Sequence, residues 1–115
     1  MADKHVDRDV LNSMAEVMEA SYPELLDIFL ADSENRLREL QKTVDAEVLS
    51  VVAHSFKGSS SNMGATRLAE LCSELEQQAK NKSPAEIIKL VADINSEFAD
   101  VRPVYEAERQ RSLTH

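Results

Sequence analysis

The sequence predicts an all-α protein: an antiparallel up-down-up-down four-helix bundle with a short N-terminal capping helix. Three observations carry this expectation. Alanine, leucine and glutamate abound, while tryptophan is absent and only 4% of residues are aromatic. Apolar residues recur at spacings of three and four rather than two. The segments between these stretches are short, so neighbouring helices should run antiparallel.

The first helix is expected over about 7–18, with Val10, Met14 and Val17 in one stripe, short enough to act as a lid. The second, about 22–43, opens at Ser21-Tyr22-Pro23-Glu24, which reads as a capping box with proline at the first helical position. Leu26, Phe29, Leu37 and Leu40 share its inner face, with Leu25 and Leu30 on the flanks. The third, about 46–63, opens at Asp45 and stops at Gly64, a natural left-handed end. The fourth, about 66–80, carries Leu68, Leu71, Cys72, Leu75 and Ala79 in one stripe. A further capping box, Ser83-Pro84-Ala85-Glu86, opens the fifth at 84. There Ile87, Val91, Ile94, Phe98, Val101 and Tyr105 align. Pro103 should kink or end this helix near 102, with an extension to about 109 and a frayed tail after Glu108.

The chain of 115 residues suits a single domain, residues 1–115, with one modest core and no repeat or low-complexity tract. A net charge of −8 argues against a nucleic-acid or anionic-membrane partner, which would select a basic surface. No apolar run approaches the roughly 20 residues that span a bilayer. The first residues lack the apolar core of a signal peptide, and the single cysteine, Cys72, has no internal disulfide partner. A cytoplasmic location is expected.

Only two glycines occur, and both lie within ten residues of His54. Gly58 stands four residues after it, inside a predicted helix, where glycine costs about 1 kcal/mol relative to alanine. On a helical wheel Leu49, Val52, Phe56, Ser60 and Met63 form the core face, and His54 falls about 160° from Phe56, toward solvent. Ser50, Val51, Lys57, Gly58 and Ser61 surround it. Lys57 is one turn on, within reach of anything attached to the imidazole. Glycine and the serines that follow leave the face open to a large partner. A lone surface histidine, lysine or glycine means little; the three at this spacing are a candidate nucleophile, its cation and its access.

His54-Ser55-Phe56-Lys57-Gly58-Ser59-Ser60, followed by Met63-Gly64-Ala65 and Leu68, resembles the signature of the histidine-containing phosphotransfer (HPt) domain of bacterial phosphorelays. Leu75-Glu76 is similar to the family's pattern on the next helix. The resemblance implies a stand-alone HPt protein, a phosphorelay intermediate of a two-component system. His54 would take a phosphoryl group on Nε2 from a receiver-domain aspartate of a hybrid sensor kinase and pass it to a response-regulator aspartate. Lys57 would stabilise phosphoryl charge and Gly58 would give access. No cofactor is implied in this chain; Mg²⁺ is expected on the partner receiver. Nor is autonomous kinase activity implied, and a monomer is expected.

Glu76 borders the fourth helix's apolar stripe, about 100° from Leu75. It would either accept the Nδ1–H of His54 or pair with Lys57; the alternative is an ordinary charged residue beside the core. Ile28 and Val51, both outside their core stripes, would join Ser61 in a docking patch for receivers, or else be isolated surface apolar residues. Arg67 reads best as a first-turn surface arginine, Cys72 as core, and His5 and His115 as unsupported terminal histidines. A helical adaptor that docks receivers or kinases without taking phosphate is the alternative function. A metal or hydrolytic enzyme is disfavoured, because no Asp, Cys or His set at ligand spacing accompanies His54.

Overall fold

In a computed structural model, which describes residues 5–113, five α-helices follow one another: α1 (Arg8–Met18), α2 (Tyr22–Gln41), α3 (Ala46–Asn62), α4 (Thr66–Gln78) and α5 (Pro84–Leu113). Met1–Lys4 and His115 lie outside the described residues. Helices α2 to α5 pack as a ring in which α3 neighbours α4 and α2, and α5 neighbours α2 and α4, while α1 packs against α2. This is the expected four-helix bundle with a capping helix.

The core stripes match the periodicity closely on α2 to α5. Leu26, Phe29, Leu37 and Leu40 are buried from α2, and Leu49, Val52, Ala53, Phe56 and Ser60 from α3. Leu68, Leu71, Cys72 and Leu75 add α4; Ile87, Val91, Ile94, Phe98, Val101 and Tyr105 add α5. Burial pushes the Cys72 thiol up to about 12, so it is a core side chain rather than a reactive one.

Local chemistry sets several helix ends. Asp45 caps α3 by accepting from the amides of Glu47 (2.9 Å) and Val48 (3.3 Å). At α5 the capping box is reciprocal: the Ser83 amide donates to Glu86 Oε1 (3.0 Å) and the Glu86 amide to Ser83 Oγ (3.2 Å). These bonds hold the Glu86 carboxyl below its ordinary value.

Three expectations are corrected. The face of α1 that packs inward is Leu11, Met14, Ala15 and Met18, not Val10, Met14 and Val17; Val17 is 77% exposed. Tertiary contact with the bundle, not the best local stripe, chooses the face of so short a helix. Ser21 makes no capping box, because Glu19–Ser21 forms a 3₁₀ turn that leads straight into α2 and leaves Ser21 in helical backbone without a side-chain cap bond. Nor does α5 end at Pro103: the helix continues to Leu113. Pro103 and Ala99, whose carbonyl loses its donor, both face solvent, so water can satisfy that carbonyl. The tail beyond is held down rather than frayed.

Two anchors hold it. Tyr105, fully buried, donates its O–H to the Met63 carbonyl at 2.6 Å and packs edge-on against Phe29. Glu108 is 1% exposed and receives Tyr22 Oη–H at 3.0 Å, Arg8 Nη1 at 2.7 Å and Arg111 Nη2 at 2.6 Å. Burial pushes the Glu108 carboxyl up, but these donors outweigh burial and hold it below the usual carboxylate range. Burial first, and then the same carboxylate, drive the Tyr22 phenol well above its ordinary value.

The N-terminal segment is tied in as well. Val6 is buried, the Asp7 amide donates to the Gly64 carbonyl at 2.7 Å, and His5 Nδ1 lies 2.6 Å from Glu97 Oε2. His5 therefore has a carboxylate partner that its position near the terminus did not suggest. Gly64 has φ +76°, and a Cβ there would stand 2.9 Å from the Asp7 carbonyl oxygen. Its role is double: it ends α3 and seats the N-terminal segment.

Two stability predictions arise here. Gly64→Ala should cost ~1–3 kcal/mol in denaturant unfolding, through the left-handed backbone and the clash with Asp7, and should speed hydrogen exchange of the Asp7 amide. Glu108→Ala should cost ~1–3 kcal/mol near neutral pH, chiefly by leaving the buried Tyr22 hydroxyl without its acceptor. Because Glu108 has a depressed pKa in the fold, its contribution is complete above about pH 4.3, the unfolded value, and is lost as pH falls through the lower folded value. The gap between wild type and variant should therefore narrow in strong acid; a constant gap would contradict this account.

Candidate functional site

The site is built on the outer side of α3 and completed by α4. The inward stripe of α3 fixes the rotation of that helix, so the opposite side must face water. His54 accordingly presents an imidazole whose side chain is 67% exposed. Lys57 follows one turn later on the same face. Gly58 lies beside them, and a Cβ placed on it would meet nothing within 4 Å. Helix packing therefore does not require glycine here, and any larger side chain would project into the open space next to His54.

Glu76 enters from α4. Leu75, the preceding residue, is fully buried, and the Ser50 hydroxyl donates to the Glu76 carbonyl at 3.3 Å. The backbone is thus pinned across from His54. The carboxylate then makes two contacts at once. Oε2 lies 2.7 Å from His54 Nδ1, and Oε1 lies 2.8 Å from Lys57 Nζ. The two roles expected as alternatives for Glu76 are realised together. The hydrogen bonds from Lys57, first, and from His54 hold its carboxyl below the ordinary value.

The chemistry of this trio is directional. An ionised carboxylate only accepts, so the proton of a neutral His54 must sit on Nδ1. That leaves the Nε2 lone pair free. A nucleophilic nitrogen, an adjacent ammonium and an unobstructed approach are what a group transfer to nitrogen needs. Among the described residues, no group of three or more His, Cys, Asp or Glu side chains is arranged to hold a metal ion.

The other candidates lie outside the trio. Ile28 on α2 and Val51 on α3 are exposed, and so is Ser61, whose carbonyl accepts the Gly64 amide at 3.1 Å. Val48, one turn before Val51, is also exposed, and the sequence reading passed over it. The three-residue spacing from Val51 was the available signal. Arg67 pairs with Glu70 on its own helix at 3.3 Å, as a surface arginine does. The hydroxyl of Ser50 was also missed; its contact joins two helices and has no signature in either alone.

Comparison with known proteins agrees with this arrangement. The model of the Hpt domain family matches residues 24–102. The phosphorelay protein LuxU of Vibrio harveyi is 35% identical over 81 residues, which cover 63% of this chain and 71% of that protein. The crystal structure of histidine-containing phosphotransfer protein B (HptB) from Pseudomonas aeruginosa PAO1 superposes with a TM-score of 0.89 at 48% identity, covering 96% of this chain and 98% of that one. A histidine-containing phosphotransfer protein from maize shares the fold, with a TM-score of 0.83 at 22% identity over 93% and 90% of the two chains. With the family model spanning most of the bundle, the chain belongs to the Hpt domain family and is a phosphorelay intermediate of two-component signalling.

Proposed function

We propose that His54 is the residue that carries the phosphoryl group. It accepts it on Nε2 from a receiver-domain aspartate of a hybrid sensor kinase and returns it to the aspartate of a response regulator. The observation that carries this reading is the exposed imidazole whose Nδ1 is engaged by Glu76, leaving Nε2 open beside Gly58.

Phosphoryl transfer passes through a loose, in-line transition state, so positioning and charge account for most of the acceleration. Glu76 sets the tautomer and orientation of the ring. Lys57 supplies positive charge to the phosphoryl oxygens, and Gly58 admits the receiver. The receiver contributes its acidic pocket and Mg²⁺. This division leaves the chain a carrier without kinase activity of its own, and we propose that it acts in the cytoplasm as a monomer. Ile28, Val51 and Ser61 are proposed to contact receivers. Exposed isoleucine and valine beside a polar site support that role.

The decisive experiment is incubation with a phosphorylated receiver. Wild type should acquire an acid-labile, base-stable label, and His54→Gln should acquire none. Label on the variant at the wild-type level would overturn the assignment. Normal signalling by His54→Ala in cells would favour an adaptor that docks receivers without taking phosphate. Gly58→Gln should leave the helical spectrum intact, because the added side chain points into open space, yet slow transfer by about tenfold or more through obstruction. Unchanged transfer rates would remove the steric role.

A further inference from the structure

The proposed chemistry has a consequence for charge around Glu76. In the resting site one carboxylate serves two partners: Lys57 is its counter-ion at 2.8 Å, and His54 Nδ1–H is its hydrogen-bond donor at 2.7 Å. In its nucleophilic form the ring is neutral, so the only charges in the trio are then the Lys57–Glu76 pair. Taking His54 as the acceptor, the Nε2 lone pair attacks phosphorus and the bond from phosphorus to the aspartyl oxygen breaks. That electron pair leaves with the aspartate carboxylate. The ring now bears phosphorus on Nε2 and hydrogen on Nδ1, and so carries a positive charge.

The ring can keep or lose the Nδ1 proton. Losing it would turn a bare Nδ1 lone pair toward Glu76 Oε2, acceptor against acceptor, at hydrogen-bond distance. It would also make the ring depart as an imidazolate anion in the next transfer, a poor leaving group. Keeping it gives Glu76 a positive ring as its partner. Meanwhile the phosphoryl group brings about two negative charges next to Lys57. At comparable distance this group attracts the ammonium more strongly than a single carboxylate does.

We infer that phosphorylation triggers an exchange of counter-ions: Glu76 passes from Lys57 to the positively charged ring, and Lys57 passes from Glu76 to the phosphoryl group. In the return step the aspartate oxygen attacks phosphorus, and the N–P electron pair goes back to Nε2. The ring is again neutral with Nδ1–H in place, and Lys57 rejoins Glu76. No proton moves in either direction, so the carrier is matched to donating and accepting alike. Glu76 is a positioning residue whose charge, not only its hydrogen bond, is required. The charged groups engaged with the ring are Glu76 from α4 and, through it, Lys57 from α3.

The test uses ¹⁵N-labelled protein phosphorylated with phosphoramidate, which needs no partner protein. At mildly alkaline pH, ring ¹⁵N spectra of phosphorylated wild type should show a protonated Nδ1, and the Lys57 ammonium signal should shift on phosphorylation. Glu76→Gln keeps a side chain of the same shape at the rim of the bundle and should remain folded. Its amide, however, can donate to a bare Nδ1. The protonated Nδ1 signal should be lost in this variant, and transfer to a receiver should slow by about tenfold, while Glu76→Asp should retain the signal in part. Equal Nδ1 protonation in wild type and Glu76→Gln, or a Lys57 signal unmoved by phosphorylation, would overturn the exchange. Failure of phosphoramidate to label His54 is a separate outcome that overturns the acceptor assignment and the exchange with it.

Discussion

The packing of α3 against α4 is the constraint on which the site depends. Leu49, Ala53 and Phe56 on one helix and Leu68, Cys72 and Leu75 on the other are fully buried, so neither helix can rotate without exposing a core side chain. With both rotations set, His54 must face water and Glu76 must emerge at the rim beside it. The apolar core thus aims a polar trio that contributes little to it. One contact of 2.7 Å, from Nδ1 to Glu76, then holds a side chain that would otherwise be a mobile surface histidine, and Lys57 holds Glu76 in turn at 2.8 Å.

The far end of α3 is secured by a different device. The turn Met63-Gly64-Ala65 gathers contacts from distant parts of the chain. Tyr105 donates to the Met63 carbonyl, the Asp7 amide donates to the Gly64 carbonyl, and the Ala65 amide returns to Ser60 at 2.8 Å. The Glu108 cluster joins α1, α2 and α5 around one buried carboxylate. A buried charge of this kind is weak evidence for net stability, yet it fixes which groups must meet. Here it brings the start of α1 against the last turns of α5. The face of α3 that bears His54 stays free of these ties.

Legibility followed the range of the interaction. The inward stripes of α2 to α5 and the caps at Asp45 and Ser83 depend on residues a few positions apart, and periodicity reveals them. Val17 and Ser21 misled because a short helix and an isolated capping motif are decided by what they pack against. Pro103 misled for a related reason: its cost falls on the solvent side of α5, while Tyr105 and Glu108 reward continuation of the helix. Gly64 looked complete as a helix stop, and its second task became visible only when Asp7 was found lying across it.

The sequence by itself determined the helical class, the core faces, the exposure of His54 and the open flank at Gly58, because all of these are properties of one helix and its period. It also carried the family signature. Tertiary structure alone decided that Glu76 serves His54 and Lys57 together, that Ser50 and Leu75 hold it there, and that α5 runs on past Pro103 to hold α1 through Arg8. Those facts join residues 22 to 100 positions apart. No local rule constrains such pairs, since their meeting is set by how whole helices rotate and stack to bury one common core.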